Sequence, residues 1–194
     1  MVPRKVCSLD CVYCEVGKTT SLTVDRKAYI PTKKIILELE NYFDNNPDPD
    51  FITFSGYGEP TLNSGIGELI DYLKVKKPDL PLAVLTNGTL MADEKIHAEL
   101  LKADVVLPSL DAATAEGFQK INRPHSSLDI SKIIDGIASF RKVFKGKIWL
   151  EIFILPGYND QEAELIALKE AIKKIEPDLV QLNTLDRPGT IEHL

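Results

Sequence analysis

All three cysteines of the chain lie near its start, in the run Cys7-Ser-Leu-Asp-Cys-Val-Tyr-Cys14. Their spacing, C-x3-C-x2-C, places three thiols on one short loop. Three thiolates on a loop can bind one metal centre, but a tetrahedral site or a four-iron cluster takes four ligands. One coordination position is therefore left open, and an open iron is a place where a substrate can bind.

Two other interpretations of the cysteines compete with an iron-sulfur cluster. They can be reduced thiols of the core, although core cysteines have no reason to gather on a loop around an aspartate. They can also bind zinc with the help of Asp10, His97, His125 or His193. Structural zinc sites usually present two separated ligand pairs, whereas this chain has one cluster. Both alternatives are disfavoured by the spacing, and neither is excluded.

Length and composition favour one enzyme domain that spans residues 1–194. The chain has 194 residues, of which 44% are hydrophobic and 27% are charged, and this length and composition are sufficient for a single buried core. A net charge of -6 argues against a surface devoted to nucleic acid. No run is long and apolar enough for a membrane span or a signal peptide. An odd number of cysteines on one loop indicates a reducing compartment, and we predict a cytoplasmic protein that does not bind membranes.

Short β-branched runs alternate with longer runs of helical period, a pattern typical of a parallel α/β sheet. The predicted strands are 51–55, 82–86, 105–109, 148–155 and 179–183. The predicted helices are 32–45, 64–76, 92–101, 130–143 and 161–175, with Thr32, Ser64 and Asp160 as N-caps. Loops at the carboxyl ends of parallel strands carry the chemistry in barrel enzymes, and the cysteine loop is expected at that face.

Aromatic and histidine residues outside these loops have ordinary interpretations. Strand residues such as Phe51 and Phe153 are expected to pack in the core, where aromatic residues of strands usually lie. His97 and His193 are expected at the surface.

The cysteine run, with Tyr13 before its last cysteine, resembles the signature of the radical S-adenosylmethionine (SAM) superfamily. A second match is the run Phe51-Ile-Thr-Phe-Ser-Gly-Tyr-Gly-Glu-Pro-Thr61, a strand that enters a glycine-rich turn. This turn resembles the Gly-Gly-Glu-Pro element that binds the amino group of SAM. The resemblance implies SAM contacts from the turn, whose candidate residues are Gly56, Tyr57, Gly58, Glu59 and Pro60. Tyr57 stands where that element has its first glycine.

The resemblance covers nearly the whole chain and implies a partial (β/α)6 TIM-like barrel with a first strand that is short or truncated. Three further runs resemble superfamily loops, and a fourth run also occurs in related sequences. Asn87 of Leu85-Thr-Asn-Gly88 is expected at the rim of the site. The alternative, weighed equally, is that Asn-Gly simply forms a turn. Ser109 of Pro108-Ser-Leu-Asp111 is expected near the ribose or carboxylate of SAM, although Asp111 can instead cap a helix. Arg123 is a candidate partner of the SAM carboxylate or of a substrate anion, and equally of an acid in a surface ion pair. Gly157 lies in a loop whose backbone is expected to meet adenine.

The implied cofactors are a [4Fe-4S] cluster on Cys7, Cys11 and Cys14 and S-adenosyl-L-methionine. The implied reaction is reductive cleavage of SAM to a 5′-deoxyadenosyl radical, which abstracts a hydrogen from an unidentified small molecule, RNA or protein. An electron donor such as flavodoxin or ferredoxin is expected as a partner. The motif sequences most resemble those of iron-sulfur oxidoreductases related to wyosine tRNA-base synthases. The wyosine enzymes carry additional cysteines for a second cluster, and this chain has none beyond the three of the loop. Alternatives are a non-catalytic electron carrier or sensor, and a glycyl-radical-enzyme activase.

Overall fold

The computed structural model describes residues 1–187 and 189–191, so the prediction for His193 falls outside the described residues. The chain begins with two short parallel strands, β1 (Val6–Cys7) and β2 (Ser21–Leu22), on either side of the cysteine loop. The first strand is short, as predicted. Strand β2 was not predicted, because two residues carry no hydrophobic period.

Five parallel strands form the main sheet in sequence order, and helices connect them. The strands are β3 (Ile52–Phe54), β4 (Leu82–Thr86), β5 (Val105–Pro108), β6 (Lys147–Phe153) and β7 (Leu179–Asn183). The helices are α1 (Thr32–Asn45), α2 (Ile66–Lys76), α3 (Glu94–Leu100), α4 (Ala115–Gly117), α5 (Ile130–Val143) and α6 (Glu162–Ile175). Parallel neighbours require such crossovers. The predicted parallel α/β class is confirmed.

The predicted N-caps were wrong, although every predicted helix exists. Helices α1, α2 and α6 follow Pro31, Gly65 and Gln161, and none of these residues makes a side-chain cap. The Asp160 carboxylate instead accepts a hydrogen bond from the Gly157 amide at 2.9 Å, which closes the turn before α6. Three caps were missed, namely Asp93 of α3, Thr114 of α4 and Asp129 of α5. A propensity for capping does not decide which of several polar neighbours reaches the free amides.

The core lies between the sheet and helices α2, α3, α5 and α6. Two predictions about burial were wrong, namely Phe51 in the core and His97 at the surface. Phe51 is 45% exposed, because the strand begins one residue after it. His97 is buried on α3, where its Nε2 lies 2.6 Å from the carbonyl oxygen of Met91 and its ring packs on Phe140. The hydrogen bond to the Met91 carbonyl oxygen offsets the free-energy cost of burying the imidazole nitrogen.

The strand register determines which side chains point to the open face of the sheet. Leu85 pairs with Leu107, and Ser109 forms a bridge with Glu151. Because alternate residues share a face, these side chains of β4, β5 and β6 lie together. That face is turned toward the cysteine loop, so the sheet forms one wall of the candidate site.

Within the described residues, we find no helix that combines the length and the apolar character of a membrane span.

Candidate functional site

The three cysteines line one cavity of about 430 Å³. Cys7 ends β1 and is buried, whereas Cys11 and Cys14 lie in the following turns and are half-buried. All three thiols are free. The cavity lies within the size range of small-molecule sites. The arrangement therefore places three metal-binding sulfurs at a cavity large enough for an additional ligand.

The Glu-Pro turn forms the neighbouring wall, and its glycine is required by a backbone contact. A Cβ atom on Gly58 would lie 1.9 Å from the carbonyl oxygen of Val6. The same oxygen accepts a hydrogen bond from the Glu59 amide at 3.1 Å. Gly58 thus allows the end of β3 to touch β1, and this contact brings the turn beside Cys7.

The Glu59 carboxylate is buried and organises the ends of two strands. Its Oε1 accepts hydrogen bonds from the Thr61 amide at 3.0 Å, the Thr61 hydroxyl and the Thr86 hydroxyl at 2.7 Å. Its Oε2 accepts one from the Asn87 amide at 2.7 Å. Burial raises the pKa of Glu59, and these donors oppose that rise. Oε2 keeps a lone pair for a further donor from the cavity, which Glu59 lines.

Polar residues at the strand ends complete the cavity wall. Ser55 follows β3, Asn87 follows β4 and Ser109 follows β5, and all three line the cavity. Glu151 enters from the middle of β6, beside Ser109. Burial raises the pKa of Glu151, the charge of Asp111 adds to the rise, and the Asn183 side chain opposes it. The cavity therefore joins thiols on one side to hydroxyl, amide and carboxyl groups on the other.

Each cysteine sulfur has one side-chain donor from a different part of the chain. The Asn87 Nδ2 lies 3.5 Å from the Cys7 sulfur, and the Asn122 Nδ2 lies 3.3 Å from the Cys11 sulfur. The Lys5 Nζ lies 2.6 Å from the Cys14 sulfur. Hydrogen bonds to ligating sulfurs stabilise their charge and tune the metal they bind.

Asp111 is the centre of a buried network behind the cysteine loop. One carboxylate oxygen accepts from the Tyr13 hydroxyl and from Asn122 Nδ2, and the other accepts from the Phe153 amide at 3.0 Å. Tyr13 also stacks on Phe153, with ring centroids 3.9 Å apart. Burial raises the pKa of Asp111, and the three donors oppose that rise. Asp111 does not cap the next helix, because Thr114 has that role. It fixes the cysteine loop against β6 instead.

Burial also acts on the cysteines themselves. It raises the pKa of Cys7 to about 11, with a further contribution from the charge of Glu59. It raises the pKa of Cys11 above its usual value, assisted by Asp111 and opposed by Asn122. The raised pKa values of Cys7 and Cys11 favour their protonated thiols in the metal-free protein, so iron binding at these two residues must release protons.

The candidate residues separate into two groups by position. Those that line the cavity are Cys7, Cys11, Cys14, Gly56, Gly58, Glu59, Pro60, Asn87 and Ser109. Three others do not line it: Tyr57 is 66% exposed, and Arg123 and Gly157 lie on exposed loops. Arg123 has a φ of 45°, which ends the π-helical turn Phe118–Asn122.

Three residues at the site were not assigned there from the sequence. Lys5 precedes the first cysteine by two positions and is buried. Nothing in the sequence distinguished it from the lysines of the surface. Glu151 did carry a signal, as a lone acid inside the apolar run Ile148-Trp-Leu-Glu-Ile-Phe153. Asp111 was considered only as a cap, because its three partners are distant in sequence.

The donor set of three free thiols is compatible with a four-iron cluster. Among residues 1–187 and 189–191, no three His, Cys, Asp or Glu side chains are placed to hold one metal ion together. A four-iron cluster binds each cysteine through a different iron, so its thiolates need not converge on one point. The free thiols, their three donors and the adjoining cavity agree with a cluster that keeps an open iron.

A sequence model described as the Radical SAM superfamily matches residues 1–168 of this chain. The chain belongs to the radical SAM superfamily. The motifs that carried the resemblance, the cysteine run and the Glu-Pro turn, lie within the matched range and meet at one cavity.

Curated relatives are mostly longer proteins. The GTPase Obg of Brachyspira hyodysenteriae is 40% identical over 187 residues, which are 96% of this chain and 27% of that protein. The UPF0026 protein slr1464 of Synechocystis is 37% identical, and the match covers 96% of this chain and 68% of that protein. A GTP 3',8-cyclase of Lactiplantibacillus plantarum is 29% identical over 80% of this chain and 45% of the cyclase. The chain therefore spans less than half of two of these relatives.

Solved structures share the fold at low sequence identity. A radical SAM methyltransferase from Sphaerobacter thermophilus aligns with a TM-score of 0.66 and 16% identity over 94% of this chain and 54% of that chain. Native anSMEcpe with bound AdoMet aligns with a TM-score of 0.68 and 20% identity over 94% of this chain and 49% of that chain. The predicted radical SAM core, a partial TIM-like barrel, is confirmed, and members of this superfamily are enzymes.

Proposed function

We propose that residues 1–194 form one radical SAM core, in which Cys7, Cys11 and Cys14 hold a [4Fe-4S] cluster and the adjoining cavity binds SAM. The chemistry that these cofactors supply is reductive cleavage of SAM to methionine and a 5′-deoxyadenosyl radical, which abstracts a substrate hydrogen. The observation that carries the proposal is that the three thiols and the Glu-Pro turn line one cavity of about 430 Å³. A fully ligated electron carrier has no need for such a cavity.

The protein contributes placement and exclusion of water. Gly58 and Glu59 hold the end of β3 against β1, so that polar groups of the turn face the cysteines. The free lone pair of Glu59 and the side chains of Asn87 and Ser109 are the proposed contacts to the amino, carboxylate and ribose groups of SAM. Tyr57, Arg123 and Gly157 do not line the cavity and are not among these proposed contacts. Buried, fixed groups hold a reactive ligand in one orientation and keep water from it.

The substrate is proposed to be a small molecule, an RNA or a protein that enters the cavity. A flavodoxin or ferredoxin is the proposed reductant, since SAM cleavage requires one electron from outside the chain. A reducing compartment, the cytoplasm, suits three free thiols and an oxygen-sensitive cluster.

Anaerobic reconstitution with iron and sulfide tests the proposal. The protein is reduced with dithionite, and 5′-deoxyadenosine and methionine formed from SAM are measured beside iron content. Cys11→Ala is expected to lose both the cluster and the cleavage. Lys18→Ala, an exposed change on the same loop, is expected to retain both.

The outcomes separate the candidate functions. Cleavage that Cys11→Ala abolishes supports radical SAM chemistry. A wild-type cluster of four irons that forms fully and never cleaves SAM contradicts it and favours the electron carrier. Cleavage that increases only with a glycine-containing protein substrate would assign the activase.

A further inference from the structure

Lys5 has an environment that is unusual for a lysine. The residue is 4% exposed and lines the same cavity as the cysteines. Its φ of 47° lies in the left-handed region, which costs a lysine conformational energy. Its carbonyl oxygen accepts hydrogen bonds from the amides of Thr20 and Ser21 at 3.1 and 3.3 Å. These bonds hold the strained backbone in place and fix the direction in which the side chain leaves it.

The Lys5 ammonium has a sulfur as its partner rather than a carboxylate. Its Nζ lies 2.6 Å from the Cys14 sulfur. Across residues 1–187 and 189–191, no acidic group lies within 4.0 Å of this ammonium. A buried cation without an anionic partner is costly. The thiolate of Cys14, ligated to a cluster, supplies the anion that this position needs.

We infer that Lys5 raises the reduction potential of the cluster by donating a charge-assisted hydrogen bond to the Cys14 sulfur. Reduction adds one electron from an external donor to the cluster and makes its sulfurs more negative. A fixed cation beside one sulfur stabilises the reduced state more than the oxidised state, so the cluster accepts the electron more readily. The inference rests on the proposed cluster, but it concerns the electron affinity of the cluster and not the fate of SAM.

The two other sulfur donors have smaller expected effects. Asn87 and Asn122 are neutral amides, and they lie 3.5 and 3.3 Å from their sulfurs. Hydrogen bonds from ionised donors are about twice as strong as those from neutral donors. The expected order of influence on the potential is therefore Lys5, then Asn122, then Asn87.

The test is an anaerobic redox titration of the reconstituted protein without SAM, followed by electron paramagnetic resonance of the reduced cluster. Lys5→Met removes the charge and keeps most of the side-chain length, whereas Lys5→Arg keeps the charge. Lys18→Met is the matched control, because it removes an exposed lysine from the loop that carries the cysteines. At a fixed potential, Lys5→Met is expected to lower the ratio of reduced to oxidised cluster about tenfold, which corresponds to a fall of about 59 mV in the midpoint potential for one electron.

Lys5→Arg is expected to lie closer to the wild type than Lys5→Met, and Lys18→Met is expected to match the wild type. An unchanged midpoint in Lys5→Met with full iron content overturns the inference. Lys5→Gln keeps an amide donor and serves as a second neutral variant. If both neutral variants fail to hold a cluster while Lys5→Arg and Lys18→Met do, tuning of the potential is overturned in favour of a role in cluster assembly.

Failure of this inference differs from failure of the proposed function. If the wild-type cluster forms but never cleaves SAM, the proposed function fails, whereas a fall in the Lys5→Met midpoint still supports the inference. If SAM is cleaved and the midpoint does not move, only the inference fails. A wild-type protein that binds no cluster overturns both.

Discussion

Two regions of this molecule are held together by different physics. The sheet region, residues 32–183, consists mainly of strands and helices that pack aliphatic and aromatic side chains into one core. The cysteine-loop region, residues 1–31, contains only two strands of two residues each. It buries Leu9 and Val12 in the core, and polar side chains from distant elements fix its course. Examples are the Ser8 to Thr89 hydroxyl contact at 2.6 Å and the Tyr13 to Asp111 hydrogen bond.

The difference shows how a reactive loop can be rigid without regular structure. Hydrophobic burial stabilises the sheet roughly in proportion to area, and many substitutions of similar volume preserve it. Buried hydrogen bonds depend on single atoms, so the loss of one partner leaves another unsatisfied. The cysteine loop is therefore expected to be sensitive to substitutions that remove a hydrogen-bonding atom without changing side-chain volume. The sheet is expected to be sensitive to substitutions that change side-chain volume.

The contact between the two regions at Gly58 is expected to be the most sensitive point. Gly58→Ala would place a methyl group 1.9 Å from the carbonyl oxygen of Val6, so β1 and the turn must separate. We expect a loss of about 5 kcal/mol in the free energy of unfolding, at the upper end for one substitution. Denaturant unfolding of the metal-free protein measures it.

The neighbouring glycine provides the control for this prediction. A Cβ on Gly56 meets only Val2, at 3.9 Å, so Gly56→Ala is expected to unfold as the wild type does. Equal stability of the Gly58 and Gly56 variants would show that the contact between the regions is not set by this close approach.

Truncation in the sheet is expected to lower stability and spare the site. Leu150 is fully buried in β6, and Leu150→Ala is expected to cost about 3 kcal/mol through the cavity that it creates. Iron bound per protein after reconstitution should stay at the wild-type level at temperatures below unfolding. Leu179→Ala, at a position that is 44% exposed, is the milder control. Loss of iron binding in folded Leu150→Ala would contradict the separation of the two regions.

The Asp111 network is expected to show the opposite behaviour. Asp111→Asn preserves shape but turns one acceptor into a donor, which cannot accept from Tyr13, Asn122 and Phe153 together. We expect a cost of about 2 kcal/mol and a faster release of cluster iron to a chelator. Asp129→Asn removes the same charge at the exposed cap of α5, where asparagine caps equally well. Iron release as slow as in that control would exclude Asp111 as an anchor of the loop.

The smallest expected effect isolates one hydrogen bond of the same network. Tyr13→Phe removes the hydroxyl that donates to Asp111 and retains the stacking on Phe153. A loss of about 1 kcal/mol in the free energy of unfolding is expected. Tyr158→Phe changes the same group at a half-buried position on the loop after β6 and serves as the control. A Tyr13 variant as stable as this control would assign the anchoring to stacking alone.

Much of the sheet region was predictable because its pattern is local. The bounds of β4, β7, α1 and α5 match the predicted ranges, since hydrophobic periods repeat within each element. The short β2 was missed, because two residues are too few to carry a hydrophobic period. Phe51 and His97 were misassigned because burial depends on where a strand starts and which carbonyl an imidazole meets.

The candidate site was predictable only where residues that act together are also close in sequence. Cys7, Cys11 and Cys14 lie on one loop, and the Glu-Pro turn is continuous, so local runs of sequence identify the superfamily and the candidate ligands. The roles of Glu151 and Asp111 depend on long-range contacts, because their partners are brought near only when parallel strands align their carboxyl ends. The role of Lys5 depends on the cysteine loop, which folds back so that Cys14 meets the residue before β1. The sequence by itself determined the candidate ligands and the architecture, whereas only the tertiary structure decided which charged and polar groups surround the sulfurs. Covalent neighbours are fixed by the order of the chain, but the electrostatic environment of a sulfur is set by atoms within a few ångströms in space.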